Sequence, residues 1–136
     1  MPSLAVVRLF VVDGAGENWS ELTAGGQPTV RLAAPDLQRA QRSRARIQSD
    51  RDVAVILDVT VAVASDFRSA RDSMVADDGT LRYVGTVDGL TGLISDIEAA
   101  GVADGVTLIA ASPRLDLLGL GHDVLRRLAL RGRATA

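Results

Sequence analysis

The chain has 136 residues, 47% of them hydrophobic, and a formal net charge of −2. That length reads as one domain with enough apolar residues for a core, and it falls short of the roughly 200 residues that an eight-stranded (β/α) barrel needs. The charge balance gives no electrostatic case for nucleic acid or an anionic membrane surface.

All 15 basic residues are arginines, so Schiff-base chemistry on a lysine is excluded. With no cysteine there are no disulfides, thiol nucleophiles or thiolate metal sites. No apolar run reaches the roughly 18 residues of a membrane span. The N-terminus lacks a signal-peptide layout, which predicts a cytoplasmic protein.

Leu4 to Val12 is a nearly continuous apolar run, the pattern of a strand buried on both faces. Arg8 interrupts it and must reach water or a carboxylate. Gly14-Ala15-Gly16 follows. A dinucleotide fingerprint fails here, because its third glycine would fall on Trp19. A turn into a short helix, capped by Asn18 or Ser20 and packed through Trp19 and Leu22, is expected instead. Gly25 to Pro28 forms a second turn, and Thr29 to Ala33 a short strand.

Pro35 and Asp36 open a helix that lasts to about Gln48. Its apolar side is thin (Leu37, Ala40, Ala45, Ile47). Arg39, Arg42, Arg44, Arg46 and Arg51 make the rest basic. With no aromatics interleaved, a solvated outer helix is the better reading than an RNA surface.

Val53 to Ala64 is the strongest strand. One face carries Val53, Val55, Leu57, Val59, Val61 and Val63, and suits packing against helices. The other carries Ala54, Ile56, Asp58, Thr60, Ala62 and Ala64, and suits the inside of a barrel. Asp58 there requires a partner or a shifted pKa; a structural pair with Arg8 from another strand, or an exposed strand end, is a better reading than catalysis. Ser65 caps a following helix with Phe67, Ala70, Met74 and Val75 inward. Asp77-Asp78-Gly79 reads as its stop rather than as a metal site.

Leu81 to Pro113 holds a complete αβ unit. Arg82-Tyr83-Val84 leads through Gly85 to Thr86, placed to cap a helix. Val87, Leu90, Ile94 and Ile97 recur at helical spacing. Gly101 supplies the left-handed stop. Val106 to Ala111 is an apolar strand closed by Ser112-Pro113. Leu115 to Leu130 is a leucine-rich tail of one helix, or two broken at Gly119-Leu120-Gly121, with Val124, Leu125 and Leu128 inward. His122, the one histidine, reads as a surface or capping residue. Residues 131–136 are expected to fray.

The order of elements predicts an α/β fold of parallel β/α units with about four strands. Two layouts stay open: half of a TIM-type barrel, or a small open doubly wound sheet. A half-barrel has open edges and an apolar interior, so it predicts a homodimer or a partner chain completing the barrel.

The stretch "YVGT", a helix, "AAGVADGVTL" and then "SP" resembles the C-terminal portion of bacterial-luciferase-like flavin-dependent monooxygenases. The resemblance is clearest over residues 35–131 of the single domain 1–136. It implies a TIM-type barrel and an oxidoreductase or monooxygenase that uses FMN or the deazaflavin F420. It covers only the last strands of such a barrel, so it names no catalytic residue. It implies a domain working within an assembly, or else a non-catalytic half-barrel subunit or flavin-binding module. A bound flavin phosphate belongs at the C-terminal ends of strands and at helix N-termini. The candidate cofactor-binding residues are therefore Arg82, Tyr83, Gly85, Thr86, Ser65 and Ser112. Relatives carry Pro where Val87 stands. Gly89 and Gly92 weaken the helix, for close packing or for approach of a phosphate.

Overall fold

The computed structural model describes residues 7–12, 19–63, 81–111 and 116–135. The protein is α/β. Among the described residues the elements are β1 (Arg8–Val12), β2 (Trp19–Glu21), β3 (Thr29–Leu32), α1 (Leu37–Gln48), β4 (Ala54–Val63), β5 (Leu81–Gly85), α2 (Val87–Ala99), β6 (Gly105–Ala110) and α3 (Leu117–Thr135).

The strands form one mixed, curled sheet of half-barrel shape in the order β2-β1-β6-β4-β3, with β5 also on β4. β4 is the longest and among the most apolar strands, and it takes the centre. β6 lies along one of its edges. The other edge is divided: β3 pairs with Ala54 to Leu57 and β5 with Val59 to Val63. These pairs and β1–β6 are parallel, whereas β1–β2 is antiparallel.

Two expectations about the sheet are corrected. About four parallel strands become six in a mixed sheet among the described residues, and β6 is inserted between β1 and β4, where a half-barrel of successive β/α units would set β1 beside β3. The stretch around Trp19 is a strand rather than a short helix. It covers the outer edge of β1, and the Leu22 amide continues the ladder by donating to Leu9 O at 2.8 Å.

The alternation along β4 sorts the molecule into two sides. Leu57, Val59 and Val61 pack with Leu9, Val11, Val106 and Leu108 against Ala40 of α1, Leu90, Ile94 and Ile97 of α2, and Leu120 and Val124 of α3. All three described helices thus cover one side of the sheet, which removes the doubly wound alternative among the described residues. The opposite, concave side holds a separate small cluster of Phe10, Ala54 and Ile56, with Trp19 packed on it.

Helix boundaries follow their caps. Asp36 accepts from the Arg39 amide at 2.8 Å and Thr86 from the Gly89 amide at 3.2 Å. Gly101 ends α2 with φ 71°. Asp116 accepts from the Gly119 amide at 3.1 Å. The two glycines therefore lie inside the first turns of one helix rather than breaking two. That helix runs to Thr135.

The loop before β6 is tied down by Asp104. Its Oδ1 accepts from Arg44 Nη2 at 2.8 Å. Its Oδ2 accepts from the Val55 amide and from Gln48 Nε2, each at 2.8 Å. One carboxylate therefore joins α1, the start of β4 and the start of β6.

Candidate functional site

Of the six candidate ligand residues, Ser65 and Ser112 lie outside the described residues, as does the helix expected after Ser65. The other four sit at the passage from β5 to α2. Gly85 is buried at the end of β5, and Thr86 caps α2. Tyr83 points to the helix side, where its ring joins the main core and its hydroxyl donates to Thr86 O at 2.9 Å. An added Cβ at Gly85 or Gly89 would run into that hydroxyl. The space at Gly89 is thus filled by the tyrosine, which accounts for a glycine in the first turn of a helix.

Arg82 is separated from this group by the pleat. It is exposed and pairs in register with Thr60, so it belongs to the concave side, opposite Tyr83. The structure brings Tyr83, Gly85 and Thr86 together and does not bring Arg82 to them. The first turn of α2 also carries Asp88, whose carboxylate is 3.4 Å from Arg127 Nη1. An anion at this helix start gains the backbone amides and meets that carboxylate.

The concave side carries a continuous stack that sequence reading missed. Trp19 lies parallel to Phe10, with ring centroids 4.3 Å apart and planes at 13°. Its indole Nε1 donates to Thr107 Oγ1 at 2.8 Å; Thr107 is fully buried. The Arg31 guanidinium stands over Trp19 and the Arg8 guanidinium over Phe10, each 5.5 Å from the ring centroid. Arg31 donates to both oxygens of Asp58, at 3.1 and 3.0 Å. Arg8 donates to both oxygens of Glu21, at 2.8 and 2.7 Å.

Asp58 therefore has the interior position expected of it, but its partner is Arg31 rather than Arg8. Neighbouring β3 brings Arg31 alongside β4, while β6 separates β1 from β4. The Glu21 carboxyl is held below its ordinary range, first by the hydrogen bond from Arg8, against burial, with Thr23 assisting. The only signal available in the sequence was Trp19 beside a run of turn residues.

A shallow pocket of about 450 Å³ is lined by Arg8, Thr23, Ala24, Gly25, Gly26 and Gln27. It opens at the N-terminal ends of the strands, away from the end where β/α proteins bind ligands. Its cation is already spent, because Arg8 also donates to Gln27 O at 2.7 Å and Gly25 O at 3.3 Å. Among the described residues no three His, Cys, Asp or Glu are grouped to hold a metal ion, and no helix is long and apolar enough to cross a membrane.

Comparison with protein-family models and with curated proteins finds no match.

Proposed function

We propose that the chain is a luciferase-like α/β unit serving a flavin-dependent oxidoreductase or monooxygenase as one part of an assembly. FMN or F420 is the cofactor, and a second copy or a partner chain completes the site. The observation that carries this reading is the β5–α2 junction. A parallel strand passes through Gly85 and Thr86 directly into a capped helix, the element that receives phosphate groups in β/α proteins.

The two ends of the cofactor fit this chain unequally. The phosphate end suits the amides at the start of α2 and Thr86, with Asp88 opposing it and Arg127 offsetting Asp88. The concave side around Phe10 and Asp58 is taken by the aromatic stack. The ring therefore belongs at the C-terminal rim, against the second chain. The cofactor supplies the redox chemistry. The residues here bind and orient.

The test is thermal shift and absorbance with FMN, reduced FMN and F420. A rise in Tm with one of them, diminished by Thr86→Ala relative to Thr86→Ser, supports the reading. No shift with any of them at millimolar concentration refutes it.

The stack on the concave side favours a second reading, a non-catalytic subunit of the same kind. Turnover with a flavin reductase and aldehyde or alkane substrates separates the two. A chain that binds flavin in its assembly without turnover is the second.

A further inference from the structure

We infer that the concave stack is a clasp that closes the curled sheet on itself, with Arg31 as the piece that opens it. β2 and β3 are the two ends of the strand order, separated by β1, β6 and β4. They nevertheless meet, because Arg31 of β3 stands over the indole of Trp19 of β2. The indole reaches inward over Phe10 of β1 to Thr107 of β6. Arg31 reaches inward over Asp58 of β4. Glu21, Arg8, Phe10, Trp19, Arg31 and Asp58 form one line of carboxylate, cation, ring, ring, cation and carboxylate. It closes the concave side without a second chain; a partner, where there is one, meets the rim.

The members of this line are not equally held. Arg8 is 14% exposed at its side chain and makes two further bonds to carbonyls. Arg31 is 35% exposed, and among the described residues the contacts that hold it are Asp58 and the ring. The place between the Trp19 face and the Asp58 carboxylate is a seat for a planar cation, filled by the chain's own guanidinium. Releasing Arg31 opens that seat to a guanidinium from outside. The inference does not depend on flavin.

The test uses the emission of Trp19, the single tryptophan. In the parent protein, acrylamide quenching of Trp19 is weak and independent of protein concentration. Protection that appears only as the chain associates, followed by sedimentation, overturns the proposal. Arg31→Ala raises the quenching constant at least about twofold with far-UV circular dichroism unchanged, since both the stack and the ion pair are lost. Arg31→Lys, which keeps the charge without the plane, lies between. Millimolar methylguanidinium restores protection to Arg31→Ala saturably, and the same concentration of sodium chloride or urea does not. Should Arg31→Ala fail to fold, Arg31→Lys carries the same comparison. Unchanged quenching in the folded variant, or rescue equalled by sodium chloride, refutes the clasp.

Discussion

Replacing Asp104 by alanine unties three elements at once. The largest loss is at Val55, which is fully buried and whose amide donates to Asp104 Oδ2. A buried amide left without an acceptor costs about 1–3 kcal/mol. The pair with Arg44 is 28% exposed on both sides and adds about 1 kcal/mol at most. Gln48 keeps its second bond, to Val53 O at 2.8 Å, and adds little. The sum is about 1–4 kcal/mol, or a fall in Tm of roughly 10 °C for a chain of this size.

Asp104→Asn keeps an acceptor for the Val55 amide and gives up the charge, so it costs about 1 kcal/mol. Urea titration followed by circular dichroism and Trp19 emission measures both variants. Burial pushes the Asp104 carboxyl up, but the Arg44 guanidinium, the Val55 amide and Gln48 together outweigh it and leave it below the ordinary value. A carboxyl lowered in the folded state stabilises above its unfolded value of about 3.9. That stabilisation is lost as pH falls through the folded value. The gap between the parent and Asp104→Asn should therefore close on acidification. An alanine variant within about 0.5 kcal/mol of the parent, or an asparagine variant as damaged as the alanine one, refutes this account of the loop.

Glu21→Gln removes the charge that Arg8 faces and should cost about 1–2 kcal/mol at neutral pH. Because the Glu21 carboxyl is also lowered on folding, that cost shrinks as pH falls through its folded value, and urea midpoints at neutral and acid pH measure it. Gly105→Ala would press a methyl group against the Arg8 carbonyl at 2.5 Å and Ile56 at 2.9 Å, and should cost about 1–3 kcal/mol in the same titration. Gly89→Ala should destabilise the parent by about 1 kcal/mol through the displaced Tyr83 hydroxyl. It should stabilise a Tyr83→Ala background by about as much, through helix propensity alone. A double-mutant cycle that shows no coupling would remove Tyr83 as the reason for that glycine.

The parts of the fold legible in the sequence are those fixed within a few residues. Asp36 and Thr86 begin their helices where their side chains can accept an amide, and Gly101 stops α2 where a positive φ is needed. The alternation of β4 told its helix side from its concave side, Asp58 included, because a strand's period of two is written in the chain. Sheet order was not legible. Whether Asp58 meets Arg8 or Arg31 depends on which strand lies beside β4, and nothing local carries that. β2 was missed because three residues show no period, and Trp19 packs as well on a helix as on a strand. Asp104 stood unremarked in a short loop. Its role comes from Arg44, 60 residues away in the chain but adjacent in space. At the candidate site, Gly85 and Thr86 were placed by their own turn chemistry. Arg82 lies on the other face of β5 from Tyr83, by a single step of the pleat.

The position of β6 bears on how the chain is assembled as it is made. Once the first 63 residues exist, β1 with β2 and β3 with β4 share no strand ladder, since the strand that pairs with both is residues 105–110. Until that late strand leaves the ribosome, the two pairs lack the ladder that sets them side by side. Bringing such distant segments together is slow, and the open strand borders invite other chains meanwhile. Truncation before Gly105 should leave material that aggregates rather than a smaller folded body.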